Sequence, residues 1–393
     1  MSTQSASSGF HALGLPSRLL ATLDRLGFTT PTPIQEQAIP ILLKDTDFIG
    51  IAQTGTGKTL AFALPTLVNL RRHEMALVLA PTRELAQQIE ETFLKLGSKA
   101  VLLVGGAPMG RQIAQLRDKP EIIIATPGRL EDHLKQRTLS LRDVRVAILD
   151  EADRMLDMGF APAIKRIMAQ VPRERQTMLF SATMPNEILS LAAQFLHEPE
   201  RVDVARSGAT ADNVLQELIF VEQTSKLNML EDLLYDHRGT TLVFARTRHG
   251  AKKLARIVRQ LGHTAAELHS DRTLAQRRDA LDGFKRGDYR VLVATDIAAR
   301  GIDVKEIGLV VNYDIPQNAE DYVHRIGRTG RAGASGKAIT LATPEQKSEV
   351  RDIEKLIQAP LELSSRSMKG IERMDNRRIA PTPMPGTRRR RYV

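Results

Sequence analysis

The chain has 393 residues, 42% of them apolar and 26% charged, and a formal net charge of +10. At roughly 150 residues per domain this leaves room for two or three packed domains, in proportions ordinary for a soluble globular protein. Cysteine is absent, which excludes disulfides, thiolate metal sites and thiol nucleophiles. No apolar run approaches the ~20 residues of a membrane helix. The polar start, residues 1–8, lacks the charged-then-apolar order of a secretion signal. A cytoplasmic protein without membrane contact is the expectation.

In chain order, short apolar runs at 48–52, 76–80, 101–104, 122–125, 144–149 and 177–180 predict strands. So do runs at 217–221, 241–245, 291–294, 309–312 and 338–341. Continuous apolar runs suit strands covered on both faces. Amphipathic stretches such as 83–96 and 251–261 lie between them, and this alternation predicts parallel α/β sheets. The pattern lapses in the small, polar stretch 205–212, as linkers do. The expected division is an N-terminal segment 1–36, a first domain 37–205, a linker 206–213, a second domain 214–360 and a tail 361–393. That tail holds nine Arg and Lys against three Asp and Glu, so it carries most of the net charge. Its composition predicts disorder. It is either an auxiliary anchor for a polyanion or a solvated end.

The run 48–52 leads into Ala52-Gln53-Thr54-Gly55-Thr56-Gly57-Lys58-Thr59, with a helical stretch after it. Strand, Gly-rich loop and helix together make a phosphate cradle of backbone N–H groups at a helix amino end. Lys58 is then placed for the β- and γ-phosphates of ATP and Thr59 for Mg2+. A Gly-rich turn that binds nothing is the other reading of these letters. The run 144–149 ends in Asp150-Glu151-Ala152-Asp153. An acid at the carboxyl end of a buried strand faces the ligand crevice of such a sheet. Asp150 is the candidate metal ligand, and Glu151 the candidate base for the attacking water. An acidic helix start would look the same in isolation.

Through Asp150-Glu-Ala-Asp153 the chain resembles the DEAD-box family of ATP-dependent RNA helicases, and the resemblance extends over residues 10–356. It implies two RecA-like domains, each a mainly parallel sheet flanked by helices, joined by a short linker. The segment Gly27-Phe-Thr-Thr-Pro-Thr-Pro-Ile-Gln35 resembles the family's Q motif, with Phe10 upstream. The resemblance implies that Gln35 reads the adenine edge and that Phe28 or Phe10 packs on the base. A side-chain amide can pair bidentately with adenine. The segments Pro81-Thr-Arg-Glu-Leu-Ala86, Gly105-Gly106 and Thr126-Pro-Gly-Arg129 resemble elements that hold the RNA backbone. Arg83 and Arg129 would supply charge, and Gly106, Thr126 and Gly128 neutral contacts. Each could by itself be a turn or a helix cap. Ser181-Ala-Thr183 resembles the motif that couples ATP state to RNA.

In the second half, Thr241-Leu-Val-Phe-Ala-Arg-Thr247 and Thr295-Asp-Ile-Ala-Ala-Arg-Gly-Ile-Asp303 resemble further motifs. These imply Arg246 and Thr295 as RNA contacts and Asp303 on the nucleotide side. His324-Arg-Ile-Gly-Arg-Thr-Gly-Arg331 implies that Arg328 and Arg331 reach the γ-phosphate across a cleft, with His324 linking the halves. An arginine supplied in this way can contribute ~10³–10⁵ in rate. One segment departs from the family pattern. Ser270 stands where Gly is usual, and Leu274 where Gln is usual, while Arg277 keeps its arginine as a candidate RNA contact. The departure puts one RNA-side or interdomain hydrogen bond in doubt.

The resulting expectation is a monomer that closes on Mg2+-ATP and RNA, grips the RNA backbone without reading sequence, and separates short duplexes. A DNA translocase, a non-unwinding RNA clamp and a scaffold with decayed catalysis are the alternatives.

Overall fold

The computed structural model describes residues 9–52, 55–204, 214–299, 307–330 and 336–367. Gln53, Thr54, Asp303, Arg331, the expected linker and the Arg-rich stretch near the carboxyl terminus lie outside them. The described strands fall into two sheets of seven, each parallel throughout. The first contains β1 (Phe48–Ile51), β2 (Met75–Leu79), β3 (Ala100–Leu103), β4 (Ile122–Ala125), β5 (Val144–Leu149), β6 (Gln176–Ser181) and β7 (Glu200–Asp203). Their order across the sheet is β3-β4-β2-β5-β6-β1-β7. The second contains β8 (Val214–Phe220), β9 (Thr241–Phe244), β10 (Ala265–Leu268), β11 (Val291–Ala294), β12 (Leu309–Asn312), β13 (Gly336–Ala342) and β14 (Glu362–Leu363). Their order is β10-β11-β9-β12-β13-β8-β14.

Period-two alternation sends successive residues of each strand to opposite faces. Val146 and Ile148 of β5 join one core, and Ala147 and Leu149 the other. The first core is closed by α1 (Ser17–Arg25), α2 (Pro33–Leu42), α3 (Lys58–Asn69) and α4 (Arg83–Lys95). After α5 (Met109–Arg117), the opposite face is closed by α6 (Pro127–Lys135), α7 (Ala152–Asp157), α8 (Ala161–Met168) and α9 (Asn186–Phe195). The second sheet is covered in the same way. One face packs α10 (Lys226–Asp236) and α11 (Arg248–Gln260). The other packs α12 (Leu274–Arg286), α13 (Asp296–Ala299), α14 (Ala319–Ile326) and α15 (Lys347–Ile357). Covering both faces removes water from strands such as β4 and β11, which is why they read as unbroken apolar runs. None of the described helices is long and apolar enough to cross a membrane.

The structure departs from the sequence expectation at its margins. Strands β7, β10 and β14 were not expected, and all three lie at sheet edges. The expected tail from 361 begins too early, because Leu361 is buried and β14 pairs with β8 at Glu217 and Leu218.

Candidate nucleotide and nucleic-acid site

Sheet order sorts the motifs. The loops after β1, β5 and β6, neighbours in the first sheet, carry the Gly-rich loop, Asp150-Glu151 and the 181–183 segment. The loops after β3, β4 and β2, also neighbours, carry Gly105-Gly106, Thr126-Pro-Gly-Arg129 and Thr82-Arg83. One carboxyl edge therefore presents phosphate chemistry along one stretch and the proposed backbone grips along the other, as parallel sheets present ligand sites.

In the phosphate cradle Ala52 is buried, its N–H donating to the Ser181 carbonyl at 2.9 Å. Gly55 is exposed, and Thr56 and Thr59 are half-buried. Gly57 caps α3 at φ 92°. A Cβ there would also meet Gln35 Nε2 at 2.4 Å, so backbone angle and space both require glycine. Lys58 begins α3; its Nζ is buried, has no hydrogen-bond partner and lies 3.9 Å from Asp150 Oδ1. A buried ammonium without an acceptor is costly, and phosphate oxygens would meet that need. Burial pushes the Asp150 carboxyl up to about 6; Lys58 pulls it down and Glu151 adds to the rise. No cluster of three or more His, Cys, Asp or Glu suited to a metal occurs among the described residues. Mg2+ is commonly held by one or two carboxylates with phosphates and water, and the residues here that could hold it are Asp150 and Thr59.

Asp153 joins two neighbouring loops of the phosphate stretch, those after β5 and β6. Its Oδ2 accepts from Ala182 N (3.0 Å), Thr183 N (2.9 Å) and Thr183 Oγ1 (3.1 Å), while its own N–H donates to Ser181 Oγ. These bonds tie the acid motif to the expected coupling residues Ser181 and Thr183.

Gln35 Nε2 donates to the Gly57 carbonyl at 2.9 Å, and its Oε1 accepts from Thr32 N at 2.9 Å. An amide has two donors and two acceptor lone pairs, so one of each remains for an adenine edge. Phe28 is 42% exposed and open to a base, whereas Phe10 is 2% exposed and packs in the first core. Phe10 is therefore a packing residue, which leaves Phe28 as the exposed aromatic of the two. Replacing Gln35 by Ala removes both bonds, at ~1–3 kcal/mol for a buried group left unpaired. Competition binding should show ATP affinity down about tenfold or more and the preference over GTP reduced.

On the other stretch, Arg83 is half-buried beside the exposed Gly106. Gly106 has φ 84°, and a Cβ on it would meet Arg83 Nη1 at 2.4 Å. Thr126 is buried and Gly128 exposed. Arg129 turns partly inward, with Nη1 donating to the Ala107 carbonyl (2.9 Å) and Gln112 Oε1 (3.0 Å). Gln112 Oε1 also meets His133 Nε2 at 2.9 Å, so Arg129 braces the Gly105-Gly106 loop through a buried network.

In the second half Arg246 is exposed, and its N–H donates to Asp314 Oδ2 at 2.9 Å. Thr295 is half-buried at the end of β11, with its N–H on the Leu268 carbonyl at 3.1 Å. His324 is half-buried, and Arg328 is buried with Nε donating to the His324 carbonyl at 3.3 Å. Arg325, to which the sequence reading gave no role, organises this region. It pairs with Asp296 at 2.5 and 2.7 Å, donates to Asn312 Oδ1 and the Asp314 carbonyl, and lies 4.9 Å from the Phe244 ring centroid.

Arg277 does not sit on an open surface. Its Nη2 lies 2.7 Å from Glu84 Oε2 on α4, both side chains 7% exposed or less. Neither Glu84 oxygen has a hydrogen-bond partner, so the contact is an ion pair with poor hydrogen-bond geometry. Burial pushes the Glu84 carboxyl up while Arg277 pulls it down. Leu274 packs against the first-half core. The residue that breaks the family pattern therefore makes an apolar contact between the halves, while Ser270 is exposed.

Two family models match the chain: DEAD/DEAH box helicase over residues 32–191 and helicase conserved C-terminal domain over 225–333. The DEAD-box ATP-dependent RNA helicase CshA of Bacillus subtilis is 45% identical over 88% of this chain and 72% of its own length. A single-substitution variant of S. cerevisiae Dbp5, bound to RNA and ADP BeF3, superposes with TM-score 0.82 at 30% identity, covering 91% of this chain and 95% of that one. The same Dbp5 variant bound to a Gle1 variant and IP6 covers the same shares at TM-score 0.73.

Proposed function

The chain belongs to the DEAD-box helicase family, and from that premise we propose that it is an ATP-dependent RNA helicase whose two halves, 37–205 and 214–360, close on Mg2+-ATP and RNA to open short duplexes or strip bound protein. The observation that supports this reading is the divided carboxyl edge, with the residues proposed for hydrolysis on one stretch, tied together by Asp153, and the proposed backbone grips on the other. All the groups required come from one chain, which supports a monomer, working in the cytoplasm where ATP and RNA are at hand.

Lys58 neutralises phosphate charge from within the first half. Glu151 orients the attacking water and takes its proton. Magnesium, when bound, would screen charge on the phosphate oxygens. The role proposed for Arg328 brings it to the phosphates from the second half, so hydrolysis requires closure. The grips are directed at sugar and phosphate, which position a strand without specifying its sequence. Holding one strand bent by both halves costs the duplex a few stacked steps, at ~1.4 kcal/mol each on the DNA scale.

Strand separation tests this reading. A labelled RNA duplex of about one helical turn should dissociate with ATP and persist with ADP, and a longer duplex should resist. Slow RNA release with little turnover and no separation would instead identify an ATP-gated clamp.

A further inference from the structure

Glu151 does not stand free in the cleft. Its backbone adopts φ 52° and ψ 52°, a left-handed conformation uncommon for a residue with a side chain. The Glu151 N–H donates to Asp150 Oδ1 at 3.0 Å, which ties the base to the candidate metal ligand. The side chain is thereby directed along α7, where Arg154 Nη1 donates to Glu151 Oε2 at 3.0 Å, both side chains 3% exposed or less. Arg154 is anchored in turn, since its N–H donates to Asp153 Oδ1 at 2.9 Å. Only one prong of the guanidinium is used on the carboxylate, and Nη2 has no hydrogen-bond partner. Three buried carboxylates, Asp150, Glu151 and Asp153, share this corner with two buried cations. Lys58 lies against Asp150, and Arg154 against Glu151.

We propose that Arg154 is a positioning residue for ATP hydrolysis. It holds Glu151 Oε2 so that Oε1 takes the proton of the attacking water as the water oxygen bonds to the γ-phosphorus and the β–γ bridging bond breaks. Because the grip is one-pronged, the carboxylate can pivot about it as the cleft closes without losing its countercharge. The inference rests on Glu151 being the base, as proposed above.

The test is single-turnover hydrolysis with saturating RNA by Arg154→Met and Arg154→Lys, each in the wild-type and the Glu151→Gln backgrounds, with ATP and RNA affinities measured alongside. Misplacing a reacting group by about an ångström can cost ~10²-fold. Arg154→Met should accordingly lower the rate constant roughly 30- to 100-fold while leaving both affinities within about threefold, on the same reasoning. Arg154→Lys should recover much of the loss. In the Glu151→Gln background neither substitution should matter by more than about twofold, because coupled residues are non-additive and no carboxylate is left to position. If Arg154→Met does not fold, Arg154→Lys carries the comparison through a smaller loss confined to the wild-type background. Equal losses in both backgrounds, or a loss in affinity with an unchanged rate constant, would overturn the proposal. An unmodified chain that fails to hydrolyse ATP would overturn the reading beneath it instead.

Discussion

Replacing Arg277 by Ala should weaken ATP-dependent RNA binding by about 10²- to 10³-fold while leaving ATP binding to the first half nearly unchanged. Arg277 and Glu84 are 2.7 Å apart and buried across the meeting of α4 and α12. Taking one member from a buried ion pair strands the other charge, at ~3–5 kcal/mol. Each ~1.4 kcal/mol is a factor of ten in an equilibrium. The penalty falls on closure because the two residues belong to different halves. Glu84→Gln should show a similar defect, and the double variant Glu84→Gln/Arg277→Met should recover part of it, since no uncompensated charge then remains. RNA titrations with a non-hydrolysable ATP analogue measure this directly. An unchanged affinity would mean that the halves close through other contacts. Leu274→Gln is the companion measurement. Leu274 packs on the first-half core, so the amide should weaken closure modestly, in proportion to the apolar area lost.

Glu151→Gln should lower RNA-stimulated hydrolysis by ~10²–10⁴-fold, the usual contribution of a positioned general base. The amide preserves size and can still accept from Arg154, so folding and RNA binding should persist. ATP should stay bound, and the variant should hold RNA longer than the wild type, because hydrolysis is what reopens the cleft. Retained turnover would move the base elsewhere on the edge.

Much of this architecture is legible in the sequence because central strands carry their own signal. Residues 122–125 and 291–294 are apolar without interruption and lie inside their sheets. The strands without a clear apolar signal are edges, where burial is partial or a charged residue is buried through ion pairing. In β7 one residue in four is buried. Strand β10 contains Glu267, which reads as polar and is nonetheless 4% exposed, because Arg272, Arg259 and His269 gather round it. The residues proposed for hydrolysis stand out in the sequence because strand, glycine loop and acid occur at fixed spacing. Glu84, Asp153, Arg154 and Arg325 do not, since their roles depend on pairing after folding. The separation of 84 from 277 illustrates this, as no local pattern marks two charges as partners. Phe10 shows the converse: an isolated aromatic expected at the base belongs to the core.

The most direct test of the central claim is steady-state ATP turnover by the intact chain with no nucleic acid, with single-stranded RNA and with DNA of the same sequence. The account predicts low turnover alone, strong stimulation by RNA, little by DNA, and loss of the stimulated rate in Glu151→Gln. Equal stimulation by DNA, or turnover indifferent to either strand, would contradict it.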